Sequence, residues 1–190
     1  LPMAASDIAQ IVAAAGQSGL ANSELLGFTE MATKVAVAWD VTADQAGDAL
    51  AKLKTALGLT VPETGSLADA INFLGNKTAA SAPAILDVTR RVAPMAKQFG
   101  MTAEQAAAFG AAMVGSGFEA EVAATSYLNM GRHLTMGASA TKRQVVAMRS
   151  LGLNAKTVAK NMQKDALGTI MDVFARLRAA PDAMRASLLT

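Results

Sequence analysis

Trp39-Asp40-Val41-Thr42-Ala43-Asp44-Gln45-Ala46 returns sixty positions later as Phe99-Gly100-Met101-Thr102-Ala103-Glu104-Gln105-Ala106. Each copy reads as the end of one helix followed at once by the start of the next. The aromatic closes the first helix. Gly100 suits the left-handed residue just past a helix end, and Asp40 tolerates that conformation less well. Val41 or Met101 then folds back onto the helix it follows. Thr42 or Thr102 is a good N-cap, and Gln45 or Gln105 completes a capping box three residues later. The cassette specifies helix pairs joined by very tight turns, and it carries no catalytic chemistry.

Working outward, the same punctuation recurs. Ser6 can cap a first helix to about Gln17, and Asn22 or Ser23 a second to Trp39. Thr42 opens a third that ends near Leu57. Gly58-Leu59-Thr60-Val61-Pro62 breaks the chain, and a fourth helix runs from Glu63 or Ser66 to Asn76. Ser81 caps a fifth, with Pro83 in its first turn. That helix reaches Phe99 with a kink or local break expected near Arg90, because Pro94 lies inside it. Thr102 opens a sixth that ends by Gly115-Ser116-Gly117. Later helices are expected over 119–136, 139–151, 155–163 and 166–179, with Pro181 starting a last short one.

Leu25, Phe28, Ala32, Val35, Ala36 and Trp39 form one helical stripe. No stretch keeps the alternation of a strand. The expected fold is therefore all-α, an array of antiparallel helix pairs. The sixty-residue match extends into the preceding helix, where Thr29 maps to Thr89 and Ala36 to Ala96. Weaker echoes of the turn stand at Leu57-Gly58-Leu59-Thr60 and Leu151-Gly152-Leu153-Asn154. A duplicated helical unit and convergence of any tight helix turn on one grammar both account for this.

Composition agrees. Of 190 residues, 52% are apolar, only 17% charged and 4% aromatic, so thin Ala-rich helices can pack closely. Mean hydropathy is +0.30, yet no apolar run approaches the eighteen or so residues of a membrane span. Zero Cys removes thiolate and disulfide chemistry. The chain opens on Leu1-Pro2 without Met and ends at Leu189-Thr190 with no stop signal, so both ends look cut from something longer. Net charge is +2 but uneven: −4 over residues 1–120 and +6 over 121–190. The basic third includes Arg132, Lys142, Arg143, Arg149, Lys156, Lys160 and Lys164. Solvated helix faces explain most such runs; contact with an acidic surface is the sharper reading. No aromatics are interleaved with these charges, which weakens a case for single-strand binding.

Candidate chemistry is thin. His133 is the only histidine and has no second His to share a metal or a proton. Glu119 and Glu121, at i and i+2 of a helix start, point to different faces and complement the helix dipole. Ala138-Ser139-Ala140-Thr141-Lys142 lacks the spacing and preceding strand of a phosphate loop. The helix from Thr102 to Met113 has the length of a DNA-reading helix, but it carries no Arg or Lys. Met95, Met101, Met113, Met130, Met136, Met148, Met162 and Met171 read first as core and second as an adaptable interface. No catalytic, cofactor-binding or metal-binding residue is assigned.

Several strings occurring in order resemble the core region of phage tail tape measure proteins: Leu1-Pro2-Met3-Ala4-Ala5-Ser6-Asp7-Ile8-Ala9, the stretch 31–53 with its Trp39 turn, Asp69-Ala70-Ile71-Asn72-Phe73-Leu74, and most closely Asn76-Lys77-Thr78-Ala79-Ala80-Ser81-Ala82-Pro83 continuing to Glu119-Ala120-Glu121-Val122. The likeness covers residues 1–135, and 136–190 form a basic helical extension of the same domain. The resemblance implies a non-enzymatic virion protein, made in the host cytoplasm. Its length sets tail length, and it takes part in tail assembly and genome ejection. Implied partners are further copies of itself, tail-tube or other tail proteins, and the host membrane during ejection; sequence-specific nucleic-acid recognition is not implied. A membrane-active helical module is the alternative reading, and a small helical enzyme or nucleic-acid binder a third.

Overall fold

Helix boundaries follow the turn grammar of the sequence in the computed structural model, which describes residues 3–182. Among those residues there are ten α-helices and no strand: α1 Ala5–Gln17, α2 Asn22–Trp39, α3 Ala43–Leu57, α4 Val61–Lys77, α5 Ala82–Ala96, α6 Ala103–Gly115, α7 Ala120–Thr135, α8 Lys142–Ser150, α9 Ala155–Met162 and α10 Ala166–Ala179. The expected last short helix lies mostly outside the described residues.

Both copies of the cassette fold as read. Asp40 (φ 53°) and Gly100 (φ 77°) take the left-handed conformation. The Val41 N–H then reaches back to the Ala36 carbonyl at 3.1 Å, and the Met101 N–H to that of Ala96 at 2.9 Å. Thr42 and Gln45 exchange hydrogen bonds, as do Thr102 and Gln105. The two weaker echoes are full turns as well: Leu59 bonds back to Lys54 at 2.9 Å and Leu153 to Met148 at 2.8 Å.

Several starts differ from expectation. Thr60 and Glu63 form a third capping box, so α4 begins at Val61 and Pro62 sits in its first turn instead of breaking the chain. Thr141 and Gln144 form a fourth, which starts α8 at Lys142, later than the expected 139. Ala4 and Ala21 occupy the cap positions of α1 and α2, and neither Ser6, Asn22 nor Ser23 caps. No break occurs at Arg90: α5 continues through Pro94 to Ala96 and tightens into a 3₁₀ turn over Lys97–Phe99.

The sixty-residue spacing runs through the helices themselves. Asn22, Ala82 and Lys142 start α2, α5 and α8; Ala43 and Ala103 start α3 and α6; Gln17 and Lys77 end α1 and α4. Burial keeps the same register. Ile11 and Ile71, Phe28 and Val88, Ala36 and Ala96, Trp39 and Phe99, Ala46 and Ala106, and Ala51 and Ala111 are all buried. Thr29 and Thr89 also return their hydroxyls to the carbonyls four residues back, those of Leu25 and Ile85. In the third stretch the middle helix is split at Leu151-Gly152 into α8 and α9.

Two apolar cores result. One collects α1 to α4 with Ile85, Leu86 and Ala93 of α5 and Ala107 and Ala111 of α6. The other collects Val88, Val92 and Ala96 of α5, Phe99, Tyr127 of α7, Val158 and Met162 of α9 and Ile170 of α10. So α5 serves both. The helices approach closely where side chains are small: a Cβ on Gly110 would stand 2.9 Å from Val88 Cγ1, and one on Gly131 would overlap the Phe99 ring.

Candidate functional site

The residues singled out for chemistry are not brought together. His133 is exposed in the last turn of α7, beside Arg132. Glu119 holds the cap position of α7 without a side-chain cap bond, and Glu121 lies in its first turn. Among the described residues no group of three His, Asp or Glu side chains is placed to hold a metal. Ser139 closes a 3₁₀ turn, and the Thr141 hydroxyl is engaged by Gln144, so Ala138 to Lys142 form a helix start and no phosphate cradle. In α6 the buried face is Ala106, Ala107, Gly110 and Ala111, a packing surface. Met101 and Met162 are core; Met171 is 58% exposed and is not.

Tyr127 organises the second core. It is fully buried, and its hydroxyl donates to Met101 Sδ at 3.3 Å. Its ring meets Phe109 edge-on at 5.2 Å and lies 6.0 Å from Phe99. Burial pushes its phenol well above the usual tyrosine range. The turn it packs on is also the seat of α9: the Gln163 amide donates to the Gln98 carbonyl at 3.0 Å, and the Met162 carbonyl lies against Gly100.

The first copy of that turn is open. There Ala49 stands where the second copy has Phe109, and a notch of about 310 Å³ remains, with Trp39, Val41, Ala46 and Leu86 in its walls and Gln45, Asp48, Asp87 and Arg90 around them. The Trp39 indole Nε1–H is buried without a hydrogen-bond partner. Burial works against the Asp87 charge, but hydrogen bonds and charge from Arg90 and Arg91 outweigh it and hold the carboxyl below its usual value. A larger, more polar cleft of about 580 Å³ lies between α9 and α10, where the Arg176 guanidinium pairs with Asp172 at 2.9 Å and donates to the Leu151 and Gly152 carbonyls. On α10, Leu167, Met171 and Phe174 form an exposed apolar stripe.

The charge asymmetry is sharpest in one stretch of chain. From Val122 to Lys164 there are 43 residues and no carboxylate. Arg132, Lys142, Arg143, Arg149, Lys156, Lys160 and Lys164 are all exposed there, and none forms an ion pair. Elsewhere Lys52, Lys54, Arg90, Arg91 and Arg176 are each paired with a carboxylate, whereas Lys34, Lys77, Lys97 and Arg178 are not. The sequence shows the tally; only the structure separates paired from unpaired cations. No described helix is long and apolar enough to cross a membrane.

Comparison with known proteins adds what the geometry does not. The family model described as "Phage-related minor tail protein" matches residues 1–190. A curated relative, the "Probable tape measure protein" of Halomonas phage phiHAP-1, is 36% identical over 184 residues, covering 93% of this chain and 21% of its own length. The chain thus spans about a fifth of that relative. No solved structure matches. With the whole sequence matched and every described element helical, the chain belongs to the phage-related minor tail protein family.

Proposed function

We propose that this chain is a structural segment of a tape measure: its length contributes to tail length, and it leaves with the genome at infection. The observation that carries this reading is the 36% identity to a probable tape measure protein. The helical architecture with its sixty-residue spacing supports it, because a ruler needs a part whose length scales with residue number. The segment is not an enzyme in this reading. It belongs in the virion, after assembly in the host cytoplasm, against tube proteins and further copies of itself. Contact with the host envelope during ejection would fall to the apolar stripe on α10. Residues 136–182 continue the domain in this reading, since Val158, Met162 and Ile170 share a core with Val88 and Val92. The ion pair between Lys54 in the last turn of α3 and Glu24 in the first turn of α2 supports the antiparallel pairing.

The test is an in-frame deletion of residues 43–102 in the phage gene. If the segment is extended helix inside the tail, tails shorten by about 90 Å at 1.5 Å per residue. A smaller but uniform shortening keeps the ruler and rejects the extended form. Tails of unchanged length refute the ruler.

A further inference from the structure

We infer that the exposed, unpaired cations of α7, α8 and α9 bind the phosphate backbone of duplex DNA without reading its sequence. This does not depend on the ruler reading.

The first observation is the set of seven exposed, unpaired cations in a stretch free of carboxylates. The second is where they sit. Helix N-termini favour acids, and α1, α2, α3, α4, α6 and α7 each have one in the first turn (Asp7, Glu24, Asp44, Glu63, Glu104 and Glu121), while α5 has neither acid nor base there and α10 is capped by Asp165. α8 opens instead on Lys142-Arg143, and α9 has Lys156 in its first turn, with no acid in either. Those charges oppose the dipole of their own helices, so helix stability does not account for them. A local preference reversed in two successive helices points to a ligand that needs the charge.

The chemistry of the face selects the anion. A lipid surface would need a free apolar face to insert, but the apolar residues Ala155, Val158 and Met162 of α9 are buried in the core. α7 and α8 each expose a single large apolar residue, Val122 and Val146. A protein partner would meet aromatic or aliphatic anchors; Tyr127, the one aromatic between Val122 and Lys164, is buried. That same lack removes the stacking platform single strands need. What remains is charge alone, which suits the regular phosphates of a duplex.

The test uses the 190-residue chain and a random-sequence duplex of about 30 base pairs, followed by fluorescence anisotropy across salt. With about six phosphates neutralised, affinity should fall about a thousandfold between 50 and 200 mM salt. Replacing Lys142, Arg143, Lys156 and Lys160 together by Ala should reduce the log–log salt slope by about three to four. Circular dichroism checks that this variant is folded. Lys34→Ala with Lys97→Ala, which removes charge elsewhere, should leave the slope unchanged. No binding at 50 mM salt would overturn the inference. So would a slope that the four-residue variant does not move, or binding to anionic vesicles without binding to the duplex.

Discussion

Gly100 can be tested for both demands the structure places on it. It holds a left-handed turn (φ 77°), and it lies under the end of α9, where an added Cβ would overlap the Met162 carbonyl. Gly100→Ala meets the first demand at about 1–2 kcal/mol, the cost of a Cβ in the left-handed region. The second adds about 1–3 kcal/mol, because the obstructing atom is backbone and α9 must shift as a unit. Stiffening the unfolded chain returns about 0.4–1 kcal/mol. The expected net loss is about 1–5 kcal/mol, or about 2–20 °C in Tm for a chain of this size.

Gly58 supplies the control. It is also left-handed (φ 64°), but nothing lies within 4 Å of the position its Cβ would take. Gly58→Ala should therefore cost only about 1 kcal/mol, the strain less the unfolded-state term. Urea unfolding followed by circular dichroism measures both. The difference between them, about 1–3 kcal/mol, isolates the seating of α9. Gln163→Ala in the Gly100→Ala background should cost less than it does alone, since the displaced α9 no longer offers its bond to the Gln98 carbonyl. Equal losses at Gly100 and Gly58 would refute the docking of α9 on this turn.

Three further outcomes follow from single groups. Trp39→Phe, which copies the residue of the second turn, removes the unpartnered indole N–H and recovers about 1–3 kcal/mol that offsets the smaller ring; stability should stay within about 1 kcal/mol of the parent, against a loss of about 3–5 kcal/mol for Trp39→Ala. The single tyrosine reports on the second core. Because burial raises the folded-state value of Tyr127, its contribution is complete below about pH 10 and is lost as pH rises further. Phenolate absorbance should therefore appear late and together with loss of helix, and titration near pH 10 with the helices intact would contradict the buried site. Glu63 is held below the usual carboxylate range by the Thr60 backbone N–H and then its hydroxyl. Its contribution is present above the ordinary glutamate value and fades as pH falls through the lowered one, so Glu63→Gln should flatten the Tm profile between about pH 5 and pH 3. Capping by Gln45 and Gln105 has no such dependence.

The turns were legible because their causes are local. A left-handed residue, a folded-back apolar residue and a Thr-x-x-Gln box act within eight positions, and both copies formed as read. Thr60-Val61-Pro62-Glu63 carries the same box, but Pro62 read as a breaker when it occupies the one part of a helix that needs no donor from it. Thr141-Lys142-Arg143-Gln144 was equally plain, and the earlier Ser139 drew the start away from it. The notch beside Trp39 was not legible. It depends on Ala49 against Phe109, and what fills the second site is Tyr127, a residue of a different helix. The unpaired cations lay between: their number is in the sequence, while their lack of partners depends on where Asp48, Asp87 and Asp172 sit.

If the sixty-residue spacing is a structural unit, removing one whole period should be tolerated where removing half is not. Deleting residues 43–102 joins Thr42 to Ala103 and rebuilds a capping box from Thr42 and Gln105. It brings α6 to the place of α3 with Ala106 and Ala111 in the register of Ala46 and Ala51. α2 then supplies Phe28, Ala32 and Ala36 where α5 had Val88, Val92 and Ala96. One tight point is Ala107 in place of Gly47, because a Cβ there stands 3.2 Å from Ile11 Cα. That contact costs some stability without changing which helix packs on which. Deleting residues 43–72 leaves the end of α4 facing α1 and puts the cores out of register, as a slipped repeat must. The first variant should unfold in one cooperative step with a urea slope reduced in proportion to its length. The second should lose cooperativity. If both deletions behave alike, the spacing is only the shared grammar of tight turns, and the fold has no unit of sixty residues.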